Sequence, residues 1–265
     1  MNSAITAHTL KQMKANGERF SCLTAYDASF AQLIAEAGVE VLLVGDSLGM
    51  VIQGQDSTLP VTVDEMIYHC QAVRRGSANS LVMADMPFMS CTSPELALKN
   101  AGRLMKEGGA HMVKLEGGQC MLEAVRMLNA YGVPVCSHLG LLPQSVHKMG
   151  GYKVQGRDAR EADSILADAL ALEESGADIL LLECVPAELA QRVTSAVTIP
   201  VIGIGAGPAC DGQVLVVYDM LGITPGRRPK FSKNFLSDAE DIPSALRDYA
   251  EAVKSATFPT QQHSF

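Results

Sequence analysis

Short apolar runs alternate with longer segments of helical periodicity along the whole chain. The runs occupy residues 22–25, 41–45, 81–84, 112–115, 133–136, 179–182 and 201–204. Each is too short for a globular helix and is largely apolar, with Lys114 interrupting the run at 112–115, the pattern of a strand covered on both faces. Between them, apolar residues recur at helical spacing over 28–37, from Thr62 onward, from Ser93 to a Gly108-Gly109 stop, and over 121–130, 162–175 and 186–197. Thr62-Val63-Asp64-Glu65 is a capping-box pattern, and Ser93-Pro94-Glu95 puts a cap before a first-turn proline. A short leading helix is expected near 8–16 and a closing helix near 243–256; residues 213–221 also look helical. An eighth strand is weakly indicated at 229–231.

Strand–helix alternation with doubly buried strands predicts a parallel sheet clothed in helices. About 250 residues is the usual length of an eightfold barrel. The expectation is therefore an α/β fold, a (β/α)8 TIM barrel, with residues 1–265 as one domain. An open doubly wound sheet is the alternative, and no linker or shift in composition divides the chain.

With 48% hydrophobic residues the chain can build a sizeable core. A net charge of -8 argues against nucleic acid or an anionic membrane as the main partner, though not against a small anionic substrate. The seven cysteines include no CxxC pair, which disfavours a zinc site, and a disulfide framework is unexpected at this size. The first residues lack a signal-peptide core, and no apolar run reaches about 18 residues. A cytoplasmic protein without a membrane span is the simplest expectation.

Five of the strand ends carry ionisable side chains: Asp46, Asp85, Lys114 with Glu116, His138, and Glu183. In a parallel barrel all these ends share one rim, which is where such folds hold their chemistry. Lys114 and Glu116 are two apart in a strand and so face the same way. Several carboxylates with one lysine call for a cation, and carboxylate with water suits Mg²⁺ or Mn²⁺ better than zinc. Mg²⁺ takes one or two protein carboxylates, so Asp46 and Asp85 are expected as ligands, with Glu116 a third ligand or acting through water. Glu183 follows three leucines, and an apolar setting would make it a usable general base. His138 reads either as a wall residue or as a proton-transfer group. Gly203, Gly205 and Gly207 imitate a dinucleotide fingerprint but lack its third glycine at the required offset, so a tight strand exit is expected. The Gly- and Lys-rich segment 142–160 is a candidate lid.

At LTAYD, VGDSLGM, QGQDSTLPVT, ADMPF, VKLEGG, SHLGLLPQS, GGYKVQGR, LLECVP, PVIGIGAG and PKFSKNF the chain resembles the ketopantoate hydroxymethyltransferase family. The resemblance runs from about Thr24 to Phe235, and the helix holding Tyr249 and the HSF tail fit as well. It implies a (β/α)8 barrel assembled as a decamer of two pentameric rings, and the first committed step of pantothenate and coenzyme A synthesis. The implied substrates are 3-methyl-2-oxobutanoate and 5,10-methylenetetrahydrofolate, and the implied metal is Mg²⁺. By motif position the metal acids would be Asp46 and Asp85 with Glu116 close by. The keto-acid contacts would be Ser47, Asp85 and Lys114, and the proton acceptor Glu183. With Asp46 on the same metal and His138 near the new hydroxymethyl group, these complete the expected substrate-binding set. No residue is assigned to the folate. Two alternatives remain at this level: a carbon–carbon lyase of the isocitrate-lyase kind, and a keto-acid sensor without catalysis.

Overall fold

A computed structural model describes residues 4–226 and 228–265. Eight parallel strands close into a barrel in sequence order. They are β1 (Phe20–Thr24), β2 (Val41–Val44), β3 (Leu81–Asp85), β4 (Met112–Glu116), β5 (Val135–Gly140), β6 (Ile179–Glu183), β7 (Val201–Ile204) and β8 (Gly212–Leu215). Nearly every strand residue is buried, as parallel strands walled by helices require. The ring is sealed by β8 against β1, with Phe20 opposite Gly212 and Leu23 opposite Leu215.

Helices fill the intervals where the apolar periodicity changes. Thr62 accepts from the Glu65 N–H, while Glu65 returns a bond to the Thr62 N–H, so the helix Val63–Gly76 starts on a complete capping box. Ser93 caps Pro94–Lys106, Asp158 caps Ala159–Glu174, and Asp241 caps Ile242–Lys254. The last of these lies across the seam. The buried Tyr249 hydroxyl sits 2.9 Å from the Cys22 carbonyl and 3.0 Å from the Gln213 carbonyl, tying β1 to β8.

Three expectations need correction. Residues 229–231 are turn and loop, and the eighth strand is Gly212–Leu215 instead. The stretch read as a helix over 213–221 is that strand followed by a short helix, Val217–Met220. Gln213 hid the strand: a polar residue at a 2% exposed position, its amide donating to the Gly207 carbonyl. The fifth strand begins later than 133 and runs on to Gly140, which puts His138 inside the sheet. The candidate lid, 142–160, holds a 3₁₀ turn, Pro143–Ser145, and the helix Val146–Met149.

Candidate active site

The strand register brings the sequence-predicted residues together. Asp85 lies opposite Lys114 across β3 and β4, Glu116 opposite His138 across β4 and β5, and His138 opposite Leu181 of β6. Paired residues share a face, so these side chains stack inward at the carboxyl-terminal ends of their strands. Asp46, Ser47, Asp85, Lys114, Glu116, His138 and Glu183 all line one cavity of about 140 Å³.

Gly45 permits the tight exit from β2. A Cβ there would lie 2.8 Å from the Ser47 hydroxyl oxygen and 3.5 Å from Asp85 Oδ2. The Asp46 N–H then donates to Asp85 Oδ2 at 3.1 Å, which locks the two acids side by side. The Lys114 ammonium lies 2.8 Å from Asp85 Oδ1 and 3.8 Å from Glu116 Oε1. The Asp85 contact is poorly aligned as a hydrogen bond, so Oδ1 keeps unused accepting capacity although it is buried. His138 Nδ1 is 3.3 Å from Lys114 Nζ and 3.4 Å from Glu116 Oε1, while Nε2 faces Glu183 Oε2 at 3.3 Å.

Burial governs the protonation of these groups. It pushes the Asp46 carboxyl well up, and the like charges of Asp85 and Glu116 push it further. Burial would also lower Lys114, but Asp85, Glu116 and Asp46 outweigh it and raise the ammonium above its ordinary value. For Glu116, burial is outweighed by the hydrogen bond and charge of His138, with Lys114 and Gln144 helping, and the carboxyl is held low. His138 is pressed down by burial and by Lys114, yet its bonds to Glu116 and Glu183 leave it raised. Glu183 was expected among apolar neighbours. Its side chain instead faces His138 and remains 15% exposed at the cavity mouth.

Two contributors were not visible in the residue pattern. Gln144 donates its side-chain amide to Asp46 Oδ2 at 2.8 Å and to the Met86 carbonyl at 3.0 Å, and its backbone N–H to Glu116 Oε2 at 3.0 Å. It thereby fastens the segment after β5 to two of the acids. The Tyr26 hydroxyl meets the Ser47 hydroxyl at 2.8 Å, and burial keeps that phenol protonated. Tyr26 follows β1 directly, and only a polar group at a strand exit could have signalled it.

The donor chemistry fits a hard divalent cation. Five carboxylates, Asp219 included, line the cavity with one lysine and one imidazole, and the buried Asp85 Oδ1 meets only the poorly aligned Lys114 ammonium. No cluster of three or more His, Cys, Asp or Glu side chains arranged to hold a metal occurs among the described residues. None of the cysteines is poised as a nucleophile here. Cys184, beside Glu183, is pushed well up by burial and by that carboxylate, and burial also holds Cys91 up at about 11.

A closed parallel barrel with acids, a lysine and an imidazole gathered at its carboxyl-terminal rim defines a (β/α)8-barrel enzyme. The chain belongs to the ketopantoate hydroxymethyltransferase family, whose model matches residues 4–261. It is 60% identical to the 3-methyl-2-oxobutanoate hydroxymethyltransferase of Nitrosococcus oceani over 98% of this chain and 99% of that protein. It is 59% identical to the enzyme of the same name from Marinobacter nauticus, over 99% of each. Among solved structures it is similar to 2,3-dimethylmalate lyase, a PEP mutase/isocitrate lyase superfamily member. That match has a TM-score of 0.60 at 19% identity, covering 84% of this chain and 83% of that one. At that identity the likeness speaks for the fold alone.

Proposed function

We propose that the chain transfers a hydroxymethyl group from 5,10-methylenetetrahydrofolate to 3-methyl-2-oxobutanoate, giving ketopantoate on the route to pantothenate and coenzyme A. The observation that carries the reading is the convergence of Asp46, Asp85, Lys114 and Glu183 on one small cavity. A cavity of about 150 Å³ holds a ligand the size of benzene, so one of this volume suits a compact 2-oxo acid.

Asp46 and Asp85 would hold Mg²⁺, with Glu116 acting through water because His138, Lys114 and Gln144 already engage it. Bound there, the ion would polarise the ketone and offset the negative charge of an enolate. Ser47, steadied by Tyr26, and the Lys114 ammonium would hold the substrate carboxylate. That hold fixes which face of C3 turns toward Glu183. Glu183 would remove the C3 proton. The electron pair of the broken C–H bond moves into the enolate, and C3 then attacks the one-carbon unit as the first of its two C–N bonds breaks and that nitrogen keeps the bonding pair. Water then displaces the second folate nitrogen, which takes up a proton, and so supplies the hydroxyl oxygen. His138, between Lys114 and Glu183, would orient the base and hold a proton near the new hydroxymethyl group. The segment after β5 would shield the cavity from bulk water, since Gln144 and Tyr152 both border it.

The cysteine chemistry disfavours the lyase alternative, and a sensor would not need a carboxylate facing an imidazole at the cavity mouth. The same proposal covers a single barrel domain, assembly as a homodecamer and a cytoplasmic setting. Among the described residues no helix is long and apolar enough to cross a membrane. The test is proton NMR of 3-methyl-2-oxobutanoate in deuterated buffer with Mg²⁺ and no folate. Loss of the C3 proton signal at an enzyme-dependent rate is expected. An unchanged signal would overturn the enolisation step.

A further inference from the structure

The floor of the barrel, where the strands begin, repeats one arrangement four times. The residue just before each even-numbered strand accepts a hydrogen bond from a backbone N–H near the start of the strand before it. Glu40, ahead of β2, takes the Ser21 N–H of β1 at 2.8 Å, and Asp178, ahead of β6, takes the Val135 N–H of β5 at 3.1 Å. Asp211, ahead of β8, takes the Val201 N–H of β7 at 2.8 Å. Ahead of β4 the acceptor is an imidazole: His111 Nδ1 takes the Val82 N–H of β3 at 3.0 Å. Each bond satisfies a strand amide that the sheet would otherwise leave without a partner.

The three carboxylates are alike in a second way. Each meets a lysine from outside the sheet: Glu40 with Lys254 at 2.6 Å, Asp178 with Lys11 at 2.7 Å and Asp211 with Lys14 at 3.0 Å. Lys11 and Lys14 belong to the leading helix Ala7–Ala15, which these pairs fasten across the floor. His111 forms no ion pair among the described residues. The charged group that acts on it is Arg74, on the helix Val63–Gly76, and Arg74 has the sign an imidazolium would have. Leu81 of β3, Pro134 ahead of β5 and the arm Ala4–Ala7 bring no titratable side chain to it, and together with His111 they line a cavity of about 260 Å³. Among the described residues one backbone bond ties that arm to the barrel, from the Ile5 N–H to the Asn79 carbonyl at 2.8 Å.

The bond from Val82 needs a lone pair on Nδ1, so the ring is neutral with its proton on Nε2. Burial and then Arg74 favour that state and hold the imidazole below its ordinary 6.5. A base lowered on folding adds stability that is complete above pH 6.5 and is lost as pH falls through the depressed value. Protonation of Nδ1 turns the acceptor into a donor that faces another donor. It also sets a cation among Leu81, Pro134 and Ile5, where water must be admitted to solvate it. A carboxyl group keeps an accepting oxygen in either protonation state, so the other three positions do not share this weakness.

We infer that His111 is an acid-sensitive latch: its protonation releases Val82 and lifts the arm Ala4–Ala7, opening the floor between β3 and β4 to water. These are the strands whose far ends carry Asp85 and Lys114, so the latch secures the base of the buried ion pair.

The test is hydrogen–deuterium exchange of the full chain over a series from about pH 7.5 to about pH 5, corrected for the intrinsic pH dependence of amide exchange. Protection of the segments holding Ile5 and Val82 should fall about tenfold at the acid end, as one lost hydrogen bond implies, while those holding Val135 and Val201 stay protected. His111→Asn offers an oxygen in place of Nδ1 and gains no proton, so it should keep both segments protected throughout. Arg74→Gln removes the like charge, so release should begin at higher pH than in the parent. Unchanged protection of Ile5 and Val82 in the parent would overturn the latch, as would release in His111→Asn that matches the parent's. Loss of protection at Val135 and Val201 together with Val82 would overturn it too, since that is acid unfolding of the whole barrel. Should circular dichroism show that His111→Asn does not fold, Arg74→Gln decides: a midpoint unmoved or shifted to lower pH would remove His111 from the role.

Discussion

The two halves of the barrel rim differ although the backbone treats them alike. From β2 to β6 the strand ends present Asp46, Asp85, Lys114, Glu116, His138 and Glu183 to the cavity. From β7 through β8 to β1 they present Ile204, Val214, Val216 and Thr24. The one polar member of that second group is already used, since the Thr24 hydroxyl accepts the Val217 N–H at 2.9 Å. Buried charges are costly one at a time and tolerable where they meet one another. Confining them to one arc lets Lys114 serve both Asp85 and Glu116 and lets His138 bridge Glu116 to Glu183. The opposite arc adds one acid, Asp219 in the short helix after β8, and is otherwise left to apolar walls and to the seam that Tyr249 ties.

If that division holds, substitutions on the charged arc should alter chemistry, and those on the seam should alter stability. The largest effect is expected for Glu183→Gln, with C3 proton exchange falling by roughly 10²–10⁴-fold while keto-acid binding persists. Equal exchange in variant and parent would remove Glu183 from the role. Asp85→Ala should weaken Mg²⁺ and keto acid together in calorimetry. It leaves Lys114 with Glu116 at 3.8 Å as its nearest carboxylate contact, beside His138 at 3.3 Å, so urea unfolding should show a loss on the order of 3 kcal/mol. Gln144→Ala keeps the charges and removes the clamp on Asp46, and Mg²⁺ affinity should fall roughly tenfold. On the seam, Tyr249→Phe should cost about 1 kcal/mol in denaturant unfolding and leave exchange untouched. A drop in exchange there would blur the two halves into one.

The smallest effect lies on the outer wall. Hydrogen bonds from Thr62 hold the Glu65 carboxyl below its ordinary 4.5. A carboxyl lowered on folding adds stability that is complete above pH 4.5 and is lost as pH falls through the depressed value. Glu65→Gln should therefore flatten a small part of the acid limb of the stability profile, with no change in exchange at neutral pH.

Seven strands were legible because each is apolar on both faces, and the acids at their ends were legible because a charge beside such a run needs a reason. β8 was not legible. It opens on Gly212 and buries Gln213, so its pattern is that of a polar turn until the Gly207 carbonyl is seen to meet the amide. The 229–231 run, read as a strand, instead borders a second cavity beside Glu183 through Pro229, Lys230 and Phe231. The convergence of the strand ends followed from fold class, but the pairing of Asp85 with Lys114 did not, since it depends on the register between β3 and β4. Gln144 could not be found that way. It reaches Asp46 across 98 positions from a loop, and no local periodicity marks a glutamine that will turn inward. The setting of Glu183 was misjudged for a related reason: the three leucines before it alternate faces, and only Leu181 shares its side of the sheet.

The seam has a bearing on how the chain comes into being. β1 is synthesised early, yet its partner β8 and the tyrosine that ties both arrive some 190 and 230 positions later. Until then a growing chain holds an open sheet with two bare edges, the form most prone to pair with a neighbour. Slow elongation over the final quarter of the chain would lengthen that exposure, and aggregation during synthesis would track how long Phe20 waits for Gly212.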